Sequence, residues 1–150
     1  MIAEQDMDRT LAVLKIVWMA LLGSLALYLL AGSLSAPGLT PRLGEEALGR
    51  LRIALYALAF VTLIGARYVR RLILAAGGPS AGPASVLQKY SSAVIASLAM
   101  SESVGIYGLV LSLLGKNAPD LYLLAGISAA ALHYFRPRKD ELLSLCQRGA

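Results

Sequence analysis

Apolar residues occur along this chain in four long blocks, separated by short stretches rich in glycine, proline, serine or charged residues. Three of the blocks run for about 20 residues or more, the length that an α-helix needs to cross the hydrocarbon core of a bilayer. The fourth block is shorter and stops before Pro137, because proline cannot continue a helix. The pattern predicts four transmembrane helices at 11–32, 51–74, 86–114 and 119–135, followed by a short tail at 136–150.

The composition supports this interpretation. Of the 150 residues, 57% are hydrophobic and 15% are charged, whereas soluble domains have roughly 45–50% apolar and about 25% charged residues. This length allows one domain. We therefore predict an all-α integral membrane protein, a single membrane domain whose four transmembrane helices are built as two hairpins.

The basic residues indicate an orientation for the four predicted spans. Four crossings place both termini and the loop between the second and third spans on one side, which then carries ten of the 14 basic residues. By the positive-inside rule this side is cytoplasmic, in a bacterial cytoplasmic membrane. The basic residues flank apolar blocks and form no stripe with interleaved aromatic residues. We therefore expect the lipid bilayer, and not nucleic acid, as the partner of this charge.

Motifs for catalysis and cofactor binding are absent from the sequence. It contains no nucleophile elbow, phosphate-binding loop, zinc signature or pair of catalytic acids. His133 has no second histidine, cysteine or acid at helical spacing, and Cys146 is the single cysteine. We accordingly expect no enzyme activity, no metal site and no cofactor.

The tail at 136–150 is basic and then amphipathic. We expect it to fray, with docking to the membrane surface or to a soluble partner as alternatives.

Glu102 is the acidic residue that the pattern places near the middle of a predicted span. It lies 12 residues from Tyr90 and 12 from Leu114, roughly 18 Å from either end of the span at about 1.5 Å per residue. An ionised carboxylate in hydrocarbon costs at least about 2.5–3 kcal/mol. The neutral acid is therefore favoured until a partner or water stabilises the charge. A carboxyl group that changes its protonation in this way can serve as a carrier site for an ion.

Small residues form a face along the same predicted helix. They are Ala93, Ser97, Ser101 and Gly105, extended by Gly108 and Ser112. Such a face lets a second helix approach closely. In the fourth span, Gly126 and Ala130 offer a second close-packing face, suited to packing against the third helix or to self-association.

The segment 97–117, SLAMSESVGIYGLVLSLLGKN, resembles the carboxylate-bearing helix of the proteolipid subunit c of F- and V-type ATP synthases. In that family a Glu or Asp precedes small residues and an Ile/Leu-Tyr-Gly-Leu-Val stretch, and the carboxylate carries H⁺ or Na⁺. The resemblance implies that Glu102 is the ion-binding carboxylate. It also implies that Ser103 and Tyr107 match the serine and tyrosine that accompany the carboxylate in sodium-binding members.

Two classes of function are open on these observations. The first is a subunit-c-like component in which Glu102 exchanges H⁺, with Na⁺ as the less favoured ion, within a homo-oligomer or a larger membrane complex. The second is a structural or assembly subunit in which Glu102 is a buried acid, hydrogen-bonded or ion-paired with Arg67. Arg67 lies about 10 Å inside the second predicted span by helical rise, within reach of Glu102 for a long side chain.

Overall fold

The computed structural model describes residues 4–35, 44–75, 83–115 and 118–148. Five helices make up nearly all of these ranges: α1 (Glu4–Ser35), α2 (Glu45–Ala75), α3 (Pro83–Gly115), α4 (Ala118–Tyr134) and α5 (Lys139–Arg148). No strand occurs within the described residues. The predicted all-α class is therefore confirmed.

Three of the helices are long and apolar enough to cross a membrane, over Gln5–Leu34, Glu45–Ala75 and Ser85–Gly115. They contain the first three predicted spans and extend beyond them, which agrees with an integral membrane protein. The fourth predicted span corresponds to α4, which has 17 residues. At about 1.5 Å per residue α4 is roughly 25 Å long, slightly shorter than the hydrocarbon core of a bilayer.

The central helix of the molecule is α3, against which α1, α2 and α4 all pack. Met100 and Val104 of α3 face α2, whereas Glu102 faces α1. Because successive residues are about 100° apart on an α-helix, α1 and α2 lie on nearly opposite sides of α3. The first two helices thus pack on α3 and hardly on each other, so the predicted first hairpin does not form a packed pair. By contrast, α3 and α4 pack closely and antiparallel.

The larger apolar core lies at the end of the bundle where α1 and α3 begin and α4 ends, which we call the α5 end. It includes Met7, Leu11 and Leu14 of α1, Tyr90, Val94 and Leu98 of α3, and Leu132, Phe135 and Leu142. The hydroxyl of Tyr90 donates to the Arg138 carbonyl at 3.1 Å and accepts from the Arg138 N–H at 3.0 Å. These two bonds fix the turn between α4 and α5 on α3.

The C-terminal tail is a docked helix, so the prediction of a frayed tail is wrong. Leu142 of α5 is completely buried in the core at the α5 end. Lys139 Nζ lies 2.9 Å from Asp8 Oδ1, and Arg70 Nη2 lies 2.5 Å from Glu141 Oε2. The amphipathic pattern of the tail therefore reflects burial against the chain's own helices.

The substitution Leu142→Ala is expected to loosen α5. Truncating this buried side chain removes apolar contacts and should lower the free energy of undocking α5 by about 2 kcal/mol. This is the lower end of the range for such substitutions, because a short terminal helix can shift to refill the space. Hydrogen exchange of the 139–148 amides in detergent would measure the effect. The matched control is Leu143→Ala, which alters a side chain that is 38% exposed. Unchanged protection in Leu142→Ala would contradict the docking of α5.

Candidate functional site

The Glu102 side chain lies on α3 at the point where α1 packs against it, and it is partly buried. Its Oε1 accepts hydrogen bonds from the Ser24 hydroxyl at 2.5 Å and from the Tyr28 hydroxyl at 3.0 Å. Ser24 and Tyr28 are four residues apart and therefore project from the same face of α1. One carboxyl oxygen of α3 is thus held by two hydroxyl groups of α1.

The Ser24 hydroxyl has a second neighbour, the carbonyl oxygen of Leu21, at 2.7 Å. A serine hydroxyl carries one proton, but its oxygen also accepts. When Glu102 is ionised, Ser24 donates to Oε1. When Oε1 carries a proton, Glu102 donates to Ser24, and Ser24 donates to Leu21. The hydrogen-bond chain is complete in both protonation states.

One side of Glu102 adjoins the outer surface of the bundle. Ile95, Ala99 and Ile106 are exposed on α3, and helical geometry places them next to Glu102, on the side away from α2. This apolar surface contacts lipid when α3 spans a membrane. Glu102 therefore lies at the border between the α1 contact and this exposed apolar surface.

The predicted ion pair between Glu102 and Arg67 does not form. Within the described ranges, Glu102 has no salt bridge to any basic side chain. Arg67 lies at the α5 end, with its guanidinium carbon 5.6 Å from the centroid of the Tyr134 ring. The physical reason is that α2 packs on the side of α3 opposite to Glu102.

Ser103 and Tyr107 are not brought to Glu102. The Ser103 hydroxyl donates to the Met100 carbonyl of its own helix at 2.7 Å. Tyr107 packs against the apolar cluster between α2 and α3, about 140° around the helix from Glu102. The hydroxyl partners come from α1 instead, which the sequence pattern did not single out. The available signal was the spacing of Ser24 and Tyr28, two hydroxyl residues one turn apart within a predicted span.

The small-residue face of α3 is the surface on which α4 packs. All six of its residues are buried: Ala93, Ser97, Ser101, Gly105, Gly108 and Ser112. A Cβ atom on Gly108 would lie 2.9 Å from Leu124 Cβ. The Ser128 hydroxyl of α4 donates to the Ser101 carbonyl at 2.7 Å. Small side chains thus allow the two helices to approach closely.

Gly126 and Ala130 lie on the exposed side of α4. A Cβ atom on Gly126 would meet no atom within 4 Å. The helix packs on α3 through the opposite side, which carries Leu124, Ser128 and Leu132. Of the two roles predicted for Gly126 and Ala130, packing against the third helix therefore does not occur, whereas self-association stays a prediction.

A second polar cluster, which the sequence pattern did not indicate, joins α2 to α4. Arg52 Nε and Nη2 each lie 2.8 Å from Asp120 Oδ2, and the Tyr56 hydroxyl donates to Asp120 Oδ1 at 3.0 Å. Asp120 is in the first turn of α4, where a carboxylate is stabilised by the helix dipole. We call Arg52, Tyr56 and Asp120 the ionic clamp. Both oxygens of the Asp120 carboxylate have donors from α2, so we interpret this cluster as a structural link between α2 and α4.

Neither metal chemistry nor a known relative identifies the site. Among the side chains that the structure describes, no three of His, Cys, Asp or Glu are grouped so that they could hold a metal ion. Comparison of the chain with protein-family models, curated proteins and solved structures found no match. The chemistry around Glu102 is therefore the basis for a proposal about function.

Proposed function

We propose that this is a subunit-c-like membrane protein of four spans in which Glu102 takes up and releases a proton within a larger complex. The observation that carries the proposal is the position of the Ser24 hydroxyl, 2.5 Å from Glu102 Oε1 and 2.7 Å from the Leu21 carbonyl. A buried polar group that loses its partner costs about 1–3 kcal/mol. Since Ser24 can donate or accept, the Ser24 hydroxyl and Glu102 Oε1 keep a hydrogen-bond partner in both protonation states of Glu102.

The path of α4 along α3 supports a fourth crossing. Asp120 lies beside Gly108 near one end of α3, and Arg138 is bonded to Tyr90 near the other. Between Tyr90 and Gly108, α3 rises about 27 Å, close to the thickness of a hydrocarbon core. Four crossings put both termini on one side. The excess of basic residues makes that side the cytoplasmic face of a bacterial inner membrane.

The number of oxygen atoms around Glu102 favours H⁺ over Na⁺. In the described part of the chain, the oxygens of the cluster are the two of the Glu102 carboxyl group, the hydroxyl oxygens of Ser24 and Tyr28, and the Leu21 carbonyl oxygen. Hard cations such as Ca²⁺ are held in proteins by about six or more oxygens. The cluster has fewer oxygens than that, whereas a proton needs one donor and one acceptor.

The position of Glu102 beside the lipid-facing surface supports a role within a complex. No cation of the described chain neutralises its ionised form. A basic group or a water-filled path must therefore come from outside the bundle, either from a second copy or from another subunit. The exposed surface around Ile106 gives such a subunit access to the carboxyl group.

A structural role is the second candidate, favoured by the bonding of Ser24 and Tyr28 to the same oxygen. Hydrogen bonds between membrane helices contribute about 0.6–2 kcal/mol each. In this alternative Glu102 ties α1 to α3 and keeps one protonation state under all conditions.

Labelling with a hydrophobic carbodiimide distinguishes the two. Such reagents attack protonated, lipid-accessible carboxyl groups. We expect mass spectrometry to show a label on Glu102 at about pH 5 that declines towards about pH 9, as the carboxyl group ionises. A label that is absent at every pH would contradict proton exchange and favour the structural role. Protection by Na⁺ would overturn the preference for H⁺.

Ser24→Ala tests the assigned hydrogen bonds in the same assay. A hydroxyl donor stabilises the ionised carboxyl group more than the neutral one, so labelling should persist to higher pH in this variant. Ser103→Ala is the matched control, because the Ser103 hydroxyl bonds its own helix, and its pH profile should equal that of the wild type. Identical profiles for both variants would remove Ser24 from the site.

A further inference from the structure

A groove rich in arginine lies at the α5 end, where α2 and α4 end and α5 begins. Its volume is about 460 Å³. The arginines that line it are Arg67, Arg70 and Arg71 of α2 with Arg136 and Arg138 of the turn before α5, and the carboxylates are Asp140 and Glu141. We call this the arginine groove. Its positive charge exceeds its negative charge and is concentrated in one place.

Arg70 has a structural role within the groove. Its side chain is 11% exposed, and its Nη2 lies 2.5 Å from Glu141 Oε2. Its Nη1 donates to the Phe135 carbonyl at 3.3 Å, and its guanidinium lies over the Phe135 ring. Arg70 therefore anchors α5 to α2 and is not available to a ligand.

Three of the other arginines in the groove form no ion pair within the described chain. Arg67, Arg71 and Arg136 are exposed, and within the ranges described none of the three forms an ion pair. Arg67 lies over the Tyr134 ring, a contact that leaves its N–H groups available. Guanidinium groups bind phosphate oxygens in bidentate fashion. A phosphate group therefore fits both the charge and the donors of this groove.

Apolar side chains lead from the groove along the outer surface of α2. Ile64 and Tyr68 are 56% and 63% exposed, and they precede Arg71 by seven and three residues, on the same face of the helix. A soluble phosphate would use the arginines alone. A phospholipid would also cover the apolar surface that follows them into the membrane.

We propose that the arginine groove binds the phosphate head group of an anionic phospholipid, whose acyl chains lie along Ile64 and Tyr68. Basic pockets between helix ends at a membrane surface are suited to such head groups. The inference does not depend on proton exchange at Glu102, which lies on the other side of α3.

The test is native mass spectrometry of the full chain in detergent, titrated with phosphatidylglycerol, with phosphatidylcholine, or with inorganic phosphate. We expect phosphatidylglycerol to bind at least about 10-fold more tightly than phosphatidylcholine. The double variant Arg67→Gln/Arg71→Gln should lose about 10-fold in affinity for phosphatidylglycerol. The double variant Arg9→Gln/Arg50→Gln removes the same charge from exposed positions outside the groove and should bind like the wild type.

Three outcomes would overturn the proposal. The first is an equal loss in both double variants, which would mean that net charge alone attracts lipid. The second is displacement of the lipid by inorganic phosphate at equal concentration, which would assign the groove to a soluble anion. The third is a loss on Lys15→Gln with none on Arg67→Gln/Arg71→Gln, which would place the lipid in the neighbouring groove lined by Lys15 and Trp18. If Arg67→Gln/Arg71→Gln fails to fold, the affinity of the single variant Arg71→Gln for phosphatidylglycerol decides.

Discussion

Gly108→Val is expected to force α4 away from α3 and to lower the unfolding temperature of the protein markedly. A Cβ atom at this position would lie 2.9 Å from Leu124 Cβ, 3.3 Å from Leu121 Cα and 3.4 Å from the Asp120 carbonyl oxygen. Two of these are backbone atoms, which no side-chain rotation can move. Overpacking commonly costs about 1–3 kcal/mol, and here we expect the upper end or more, because the whole helix must shift.

The single tryptophan provides the measurement for this variant. The indole N–H of Trp18 donates to the Leu132 carbonyl of α4 at 2.9 Å, so its fluorescence reports on the position of α4 during thermal unfolding in detergent. Gly126→Val is the matched control. It adds the same side chain to α4 where a Cβ atom meets nothing within 4 Å. Equal unfolding temperatures for the two variants would contradict the close packing of α3 and α4.

Asp120→Ala is expected to break the ionic clamp and to destabilise the protein by about 2–3 kcal/mol. The change leaves Arg52 without its carboxylate and Tyr56 without its acceptor. The Arg52 side chain is 39% exposed, so water can solvate part of the stranded charge. This is why we expect less than the roughly 3–5 kcal/mol typical of a fully buried pair.

A double-mutant cycle would isolate the interaction in the clamp. Arg52→Ala in the Asp120→Ala background should lower the free energy of unfolding little further, since Arg52 has already lost its carboxylate partner. Arg50→Ala is the control, because the pair of Arg50 with Glu46 has both side chains about 80% exposed, and exposed pairs contribute about 0–1 kcal/mol. If the effects of Arg52→Ala and Asp120→Ala simply add, the clamp does not couple α2 to α4.

The clamp and the Glu102 cluster surround a carboxylate in two different ways. Asp120 has an arginine partner and donors on both oxygens, an arrangement that stabilises one charged state. Glu102 has two hydroxyl groups on one oxygen and no cation among the described residues. Because a hydroxyl group can donate or accept, the Glu102 cluster suits a change of protonation, whereas the clamp opposes one.

The sequence by itself determined the helical class, three helices of membrane-spanning length and the small-residue face of α3. These properties are local, because they depend on the length of an apolar run or on the spacing of residues along one helix. Glu102 could be singled out for the same reason, since its distance from the ends of its span follows from residue number. Properties of this kind were therefore accessible from the sequence.

Only the tertiary structure decided which groups meet Glu102. Ser24 and Tyr28 are 78 and 74 positions away from it, and their contact depends on the angle at which α1 packs on α3. The packing of α2 on the opposite side of α3 keeps Arg67 away from Glu102, and the packing of α4 on α3 turns Gly126 outward. Likewise, the docking of α5 depends on a core assembled from α1, α3 and α4. Spacing along a helix fixes a residue's direction from its own axis, but the positions of neighbouring helices are set by how all their surfaces fit together.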